Sequence, residues 1–337
     1  MSAGVGLGMK AVVLTGGLGT RLRPITYGIP KQLIPIAGKP VLYHTLDLLP
    51  DGVEEIVLAA GYKGAMIEQY LREHPYRLPT RVVIEDERHL LGTGGGLKNA
   101  GRALTDPFLF LYADTIASVP LEGLLDRHRS AGGVGVMALY EVDDTRPYGV
   151  AALGPEDRIT SFVEKPPPAE APSHWINAGF AVWGREVLDR IPPGREVSFE
   201  REILPPLLDR GVYGFRFSGY FVDAGTLSGV LNAQRALFDA GRGGLGRLPE
   251  DTSGEGPVAV MEGAIARGAT LGRYVTLGRN AHLHPGAHVE NSVLMDGVVV
   301  ERGARVSGSV LGPGVRVGAE ARVENVVLAV ETAPRSG

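Results

Sequence analysis

The sequence predicts an α/β fold: a domain with a mixed, mainly parallel sheet covered by helices, then a separate β-helix. Two patterns predict it. From Met9 short apolar runs alternate with longer amphipathic segments, the order that a parallel sheet with crossover helices produces. Towards the carboxyl end an aliphatic residue recurs every six positions, which suits neither a helix nor a simple hairpin.

Taken in order, residues 1–8 lack a basic start and a sustained apolar run, so they are expected to be a flexible leader, not a signal peptide. Lys10 to Leu14, Glu55 to Ala59, Arg81 to Ile84 and Phe108 to Tyr112 are read as buried strands. Between them Pro40 to Leu49, Ala65 to Glu73 and Leu97 to Leu104 carry apolar residues at helical spacing. Ile159 to Val163 and Ile176 to Trp183 are strand-like but less regularly separated by helices, hence the mixed sheet. A helix from Ser228 to Ala240 closes this first domain, 9–240. Residues 241–256, rich in Gly and small or charged residues, are expected to be a linker.

The repeat occupies 257–330, with a tail at 331–337. Its anchors are Ile265, Leu271, Leu277, Leu283 and Val289, then, after a slip of one, Leu294, Val300 and Val306, then Leu311, Val317, Val323 and Leu328. Short strands of this kind bury their apolar residue only by stacking on the coil below. Twelve anchors at three per triangular coil make four coils.

Composition narrows the function classes. With 337 residues, 44% hydrophobic and 21% charged, the chain is an ordinary globular protein of about two domains. A net charge of −4 with no basic block gives no electrostatic reason to expect nucleic acid or an anionic membrane as partner. The absence of cysteine excludes disulfides, thiolate metal sites and Cys nucleophiles. No run approaches the roughly 18 apolar residues of a membrane helix, so a cytoplasmic location and small-molecule ligands are expected.

The first strand runs into Gly16-Gly17-Leu18-Gly19-Thr20-Arg21-Leu22-Arg23-Pro24, at the edge of a parallel sheet where ligands bind. Glycines let backbone N–H groups approach phosphates closely, and Arg21 offers a fork of donors to their oxygens. The spacing fits neither a Walker loop nor the dinucleotide fingerprint. Lys31 follows in Pro30-Lys31-Gln32-Leu33; only six of the 34 basic residues are lysine, so its position is informative. Phe108 to Asp114 is an apolar strand ending in a carboxylate, and Asp223 follows a second strand-like run. Two Asp oxygens together with phosphates and water suit Mg²⁺. Glu164, Lys165 and Asn177 supply an acceptor, a cation and an amide suited to sugar hydroxyls and a sugar phosphate.

Gly-Gly-x-Gly-Thr-Arg-Leu-x-Pro followed by Pro-Lys resembles the sugar nucleotidyltransferases, also called nucleoside-diphosphate-sugar pyrophosphorylases, and the resemblance extends over nearly the whole chain from Met9. It implies a Rossmann-like nucleotidyltransferase domain and a left-handed β-helix, the handedness coming from the resemblance alone. It also implies a reaction: a sugar 1-phosphate attacks a nucleoside triphosphate and pyrophosphate leaves. The catalytic residues implied are Arg21, Lys31, Asp114 and Lys165. The nucleotide would be held by Leu14, Gly16, Gly17, Gly19, Thr20, Arg21, Glu87, Gly92 and Thr93. The sugar would be held by Gly149, Glu164, Lys165, Asn177 and Gly179, and Mg²⁺ by Asp114 and Asp223. No general base is needed, because the second pKa of a sugar phosphate is about 6 and it is largely dianionic at neutral pH.

Guanine presents adjacent N1–H and N2–H donors, which the Glu87 carboxylate can accept, and this favours GTP with mannose 1-phosphate. Gln32, where the family usually has Pro, resembles thymidylyl enzymes and keeps dTTP or UTP with glucose 1-phosphate open. Thr15, Ala113 and Ala224 also depart from the family's pattern. Two other classes stay in view: an acyltransferase using His282, His284 or His288, and a non-catalytic subunit that senses nucleotide sugar. A homo-oligomer formed through the carboxyl-terminal domain is expected.

Overall fold

A computed structural model of the chain describes residues 8–243 and 249–330. Residues 1–7 of the expected leader, the middle of the expected linker and the tail lie outside these. Two compact units emerge: Met1–Gly17 with Thr45–Phe221, and Leu18–His44 with Val222–Gly337. The segment bearing Arg21 and Lys31 thus groups with the repeats. Among the described residues no helix is long and apolar enough to cross a membrane.

The first unit is built on a sheet of nine strands among the described residues. These are β1 (Met9–Leu14), β2 (Val53–Ala60), β3 (Thr80–Ile84), β4 (Phe108–Tyr112), β5 (Gly135–Glu141), β6 (Gly149–Leu153), β7 (Ile159–Glu164), β8 (Trp175–Trp183) and β9 (Val212–Arg216). The path β7-β6-β8-β4-β1-β2-β3 runs across it, while β5 pairs with both β8 and β9. β3, β2, β1 and β4 are mutually parallel; β8 lies antiparallel to β4, with Phe180 opposite Leu111. Val12, Val57, Phe108 and Phe110 are buried in one core with Trp183 and Phe199, as expected for parallel strands covered on both faces.

Helices α1 (Gly64–Glu73), α2 (Gly92–Ala100) and α3 (Leu121–Ala131) connect the strands. α2 begins five residues before the expected Leu97. Helix propensity argues against Gly94, Gly95 and Gly96, at about 1 kcal/mol each relative to Ala, yet tertiary contact requires them. A Cβ on Gly95 would lie 2.6 Å from the Leu91 Cβ and 2.9 Å from the Arg195 carbonyl oxygen. Only a helix without side chains fits there. The expected helix from Pro40 shortens to Val41–Leu46.

In the second unit three parallel sheets alternate, and the chain visits them in rotation. Val258 pairs with Val275, Val275 with Ser292, Val293 with Val310 and Val310 with Val327, each 17 residues apart. A second sheet follows Thr270, His288, Arg305 and Arg322, and a third His282, Val299 and Arg316. The slips at Leu294 and Leu311 are the five-residue sides of these 17-residue circuits. From Leu271 to Val317 the anchors are buried. Ile265 is not one of them: it is 49% exposed, and Ala266, 17 residues before Leu283, points inward. The six-residue count back from Leu271 lands one position short because the side from Ala266 to Leu271 has five residues. Helix α4 (Leu227–Asp239) also belongs to this unit.

Candidate functional site

Across the first unit the sheet order lays out the candidate residues. At the end of β1, Leu14 pairs with Ala59 on one side and Tyr112 on the other. The ladder continues past the strand: Thr15 N–H donates to the Ala59 carbonyl (3.0 Å) and Ala113 N–H to the Leu14 carbonyl (3.1 Å). Gly16 and Asp114 are therefore delivered beside one another by adjacent strands. Gly16 packs against Gly61, where a Cβ would stand 3.2 Å from the Gly16 Cα.

On the β8 side of β4 lie the expected sugar residues. Glu164 is opposite Gly149, Val150 is opposite Ile176, and Asn177 follows. The Asn177 side-chain oxygen accepts the Gly179 N–H at 2.9 Å, within the bulge where β8 shifts register. Gly179 has φ of +80°, and a Cβ there would lie 2.7 Å from Tyr112 Cδ2. A Cβ on Gly149 would stand 2.3 Å from the Phe162 ring and 2.6 Å from Glu164 Oε2. Burial, reinforced by the nearby Glu200 carboxylate, pushes the Glu164 carboxyl above its ordinary range despite Lys165. Lys165 Nζ lies 3.6 Å from Glu164 Oε1.

On the β3 side, Glu85 continues the strand, its N–H donating to the Ala60 carbonyl. Its Oε2 accepts the Leu91 N–H at 3.0 Å, and a Cβ on Gly96 would stand 2.7 Å from Oε1 and 3.9 Å from Leu14 Cδ2. Burial raises its pKa, opposed by the Leu91 hydrogen bond. Glu87 is exposed and accepts the Lys63 N–H at 2.9 Å, before α1. Gly92 and Thr93 open α2. The Thr93 hydroxyl accepts the Phe199 N–H (2.9 Å) and donates to Glu200 Oε2 (2.7 Å). Ser198 also donates to Oε2, and Tyr112 donates to Oε1. Burial and then the Glu200, Glu164 and Asp114 carboxylates push the Tyr112 hydroxyl pKa well up.

The second unit gathers the remaining candidates. Gly19, with φ of +62°, closes a 3₁₀ turn over Thr20–Leu22 and accepts the Thr26 hydroxyl at 2.9 Å. A Cβ there would lie 3.6 Å from the Lys31 Cβ, so the turn and the Pro-Lys segment adjoin. Arg21 Nη2 approaches Asp223 Oδ2 at 3.3 Å, while Asp223 Oδ1 accepts the Gly225 N–H at 2.8 Å. In sum, Leu14, Gly16, Asp114 and the sugar residues are set along one sheet edge, and Gly19, Thr20, Arg21, Lys31 and Asp223 cluster in the other unit.

Residues 10–240 match the family described as Nucleotidyl transferase, and residues 255–334 match that described as GMPPB C-terminal domain. The first match covers well over half of the chain. The chain belongs to the nucleotidyl transferase family. Its relatives include the mannose-1-phosphate guanylyltransferase of Mycobacterium tuberculosis, 37% identical over 299 residues that make up 87% of this chain and 81% of that one. The probable mannose-1-phosphate guanylyltransferase 1 of Oryza sativa is 33% identical over 303 residues, covering 87% and 83%. Among solved structures, HddC from Yersinia pseudotuberculosis is 30% identical, with a TM-score of 0.58, over 67% of this chain and 98% of that one. The same protein complexed with GMP-PN gives 29% and 0.57 over the same shares.

Sequence reading missed two carboxylates of this nucleotidyltransferase. Glu85 carries the signal that marks Asp114, a carboxylate directly after an apolar strand (Val82-Val83-Ile84). Glu200 carries none: it lies in a five-residue π-helical turn, Phe199–Ile203, and its three hydroxyl partners are scattered along the chain.

Proposed function

We infer that the chain transfers a guanylyl group from GTP to mannose 1-phosphate, forming GDP-mannose and releasing pyrophosphate. The observation that carries this reading is the 37% identity, over 87% of the chain, to a mannose-1-phosphate guanylyltransferase. The half-buried Glu85 carboxylate beside Gly96 of α2 supports it, since a carboxylate accepts both guanine edge donors. We assign base reading to Glu85 and not Glu87, which caps the approach to α1.

The obstacle is repulsion between two polyanions. One like-charge pair about 4 Å apart costs roughly 4 kcal/mol at an effective dielectric near 20. Arg21 and Lys31 are assigned to the triphosphate and Lys165 to the sugar phosphate. Gly149, Glu164, Asn177 and Gly179 are assigned to the sugar hydroxyls. Tyr112, Thr93 and Glu200 tie the start of α2 to the sugar side of the sheet.

Asp114 and Asp223 are the assigned metal ligands. Oxygen donors without Cys or His suit a hard dication such as Mg²⁺. Among the described residues no group of three or more His, Cys, Asp and Glu could hold a metal, so two carboxylates would rely on phosphate oxygens and water to complete the shell. Bound there, Mg²⁺ supplies charge neutralisation at the phosphates. The three rotating sheets are read as a left-handed β-helix, and the protein as a cytoplasmic homo-oligomer assembled through it.

The test is a matrix of GTP, dTTP, UTP and ATP against mannose and glucose 1-phosphates with Mg²⁺, following pyrophosphate release. GTP with mannose 1-phosphate should lead. A clear preference for dTTP with glucose 1-phosphate would overturn the substrate assignment and keep the reaction class; nucleotide-sugar binding without turnover would remove both.

A further inference from the structure

We propose that Gln234 is a positioning residue for the transfer reaction, joining the cationic segment 18–33 and the Asp223 turn to the stacked sheets of the same unit. It rests on the phosphate and metal roles given above to Arg21, Lys31 and Asp223. Gln234 is fully buried in α4. A primary amide has two donor hydrogens and two acceptor lone pairs, and here all four are used. Oε1 accepts the Ala37 N–H (3.3 Å) and the Thr276 hydroxyl (2.5 Å); Nε2 donates to the Tyr274 carbonyl (2.7 Å) and the Ser292 carbonyl (3.3 Å). One side chain therefore binds a hairpin turn and two successive circuits of the repeat.

Both ends of this clamp lead to proposed catalytic groups. Ala37 sits at φ of +46° in the turn of the hairpin Pro35–Ile36/Lys39–Pro40, a few residues after Lys31. That hairpin is rigidly seated: Ile34 and Ile36 are fully buried, and His44 Nε2 meets the Ile36 carbonyl at 2.8 Å. Upstream, Ile25 packs on the repeat, where a Cβ on Gly312 would lie 3.2 Å from its Cγ1. At the start of α4 the Thr226 hydroxyl caps the helix by accepting the Gly229 N–H at 2.9 Å. A Cβ on Gly229 would fall 2.1 Å from the Asp223 carbonyl oxygen, so the first turn rides directly on the Asp223 backbone.

Other contacts hold α4 to the repeat without reaching the hairpin: Arg235 Nε to Asn291 Oδ1 (2.9 Å) and the Tyr274 hydroxyl to Asp239 Oδ1 (2.8 Å). They supply the control. Gln234→Met keeps the volume and deletes all four hydrogen bonds; Tyr274→Phe deletes only the hydroxyl's bonds to Asp239 and Arg273. Both are compared with the wild-type full chain for thermal midpoint, kcat, the separate KM values for GTP and mannose 1-phosphate, and hydrogen exchange across 18–37.

A misplacement of about 1 Å can cost up to about a hundredfold in rate, so Gln234→Met should lose on the order of tenfold or more in kcat. It should also raise the GTP KM, leave the mannose 1-phosphate KM unchanged, and quicken exchange over 18–37. Tyr274→Phe should lower the midpoint and leave kcat and that exchange alone. Equal behaviour of the two variants, or a Gln234→Met enzyme with wild-type kcat and exchange, overturns the proposal. If Gln234→Met does not fold, Gln234→Glu, which loses at least one of the two donors to the repeat carbonyls, takes its place under the same criteria. A wild-type chain that makes no GDP-mannose sinks the substrate reading instead, and the exchange comparison still decides the clamp.

Discussion

Replacing Glu85 with Gln tests its assigned role in base recognition apart from folding, at a single atom. The Leu91 N–H now given to Oε2 at 3.0 Å can pass to the amide oxygen, so the turn into α2 should survive. What changes is the other edge of the group, beside Gly96 and Leu14, where an acceptor becomes an NH₂ donor. Facing guanine, that donor meets a donor. Losing one hydrogen bond to a charged group costs roughly 1.5–3 kcal/mol, which at about 1.36 kcal/mol per decade is roughly a 10–150-fold loss of kcat/KM for GTP. Uracil and thymine, with one N–H flanked by carbonyls, should lose less or gain. The assay is steady-state pyrophosphate release with GTP, UTP and dTTP at saturating mannose 1-phosphate. Glu87→Gln is the companion, since its amide oxygen can still accept the Lys63 N–H and its GTP efficiency should hold. Should Glu85→Gln retain wild-type GTP efficiency while Glu87→Gln loses it, the reasoning is wrong and the exposed residue reads the base.

Glu164→Gln should weaken mannose 1-phosphate binding yet stabilise the protein at neutral pH. The Glu164 pKa is raised by burial and by Glu200 above its ordinary 4.5. A raised carboxyl pKa destabilises the fold above the folded value, and the penalty disappears below the unfolded one. The midpoint advantage of the variant should therefore be present at about pH 8 and shrink as pH falls towards 4.5; a variant that melts below wild type at alkaline pH would refute this. Removing divalent metal with a chelator should stop pyrophosphate release and Mg²⁺ should restore it. Asp223→Asn should do the same with little loss of thermal midpoint, because its exposed pairing with Arg21 belongs to a class worth about 0–1 kcal/mol. A large midpoint loss would recast Asp223 as structural.

Legibility tracked the range of the interactions involved. Strand β1 and the turn after it are local: an apolar run, then glycines, so the sheet edge was readable to within a residue. The repeat was readable because each circuit imposes the same requirement on its own side chain, and the slips at Leu294 and Leu311 proved to be its five-residue sides. The start of α2 was not readable, since nothing within Gly92–Gly96 favours helix; the reason lies in Leu91 and Arg195 pressing on the helix from outside it. Glu200 was hidden for a similar cause, its role being set by Thr93, Tyr112 and Ser198 together. The grouping of 18–44 with the repeats was invisible as well, because it depends on contacts such as Ile25 with Gly312 and Ala37 with Gln234.

That grouping divides the chemistry. The groups that would recognise what the substrates are, Glu85 for the base and Glu164 and Asn177 for the sugar, stand on strands of the first unit. Arg21, Lys31 and Asp223, which would act on charge common to every nucleoside triphosphate, stand in the second. Arg21 and Asp223 face each other at 3.3 Å as an exposed ion pair. A polyphosphate with its cation satisfies both more fully, the guanidinium by oxygen acceptors and the carboxylate by metal. Binding would then exchange one weak, exposed pair for two stronger ones, so specificity and rate should respond to substitutions in different units: changes at Glu85 or Glu164 alter which substrate is used, and changes at Arg21 or Asp223 slow every substrate alike.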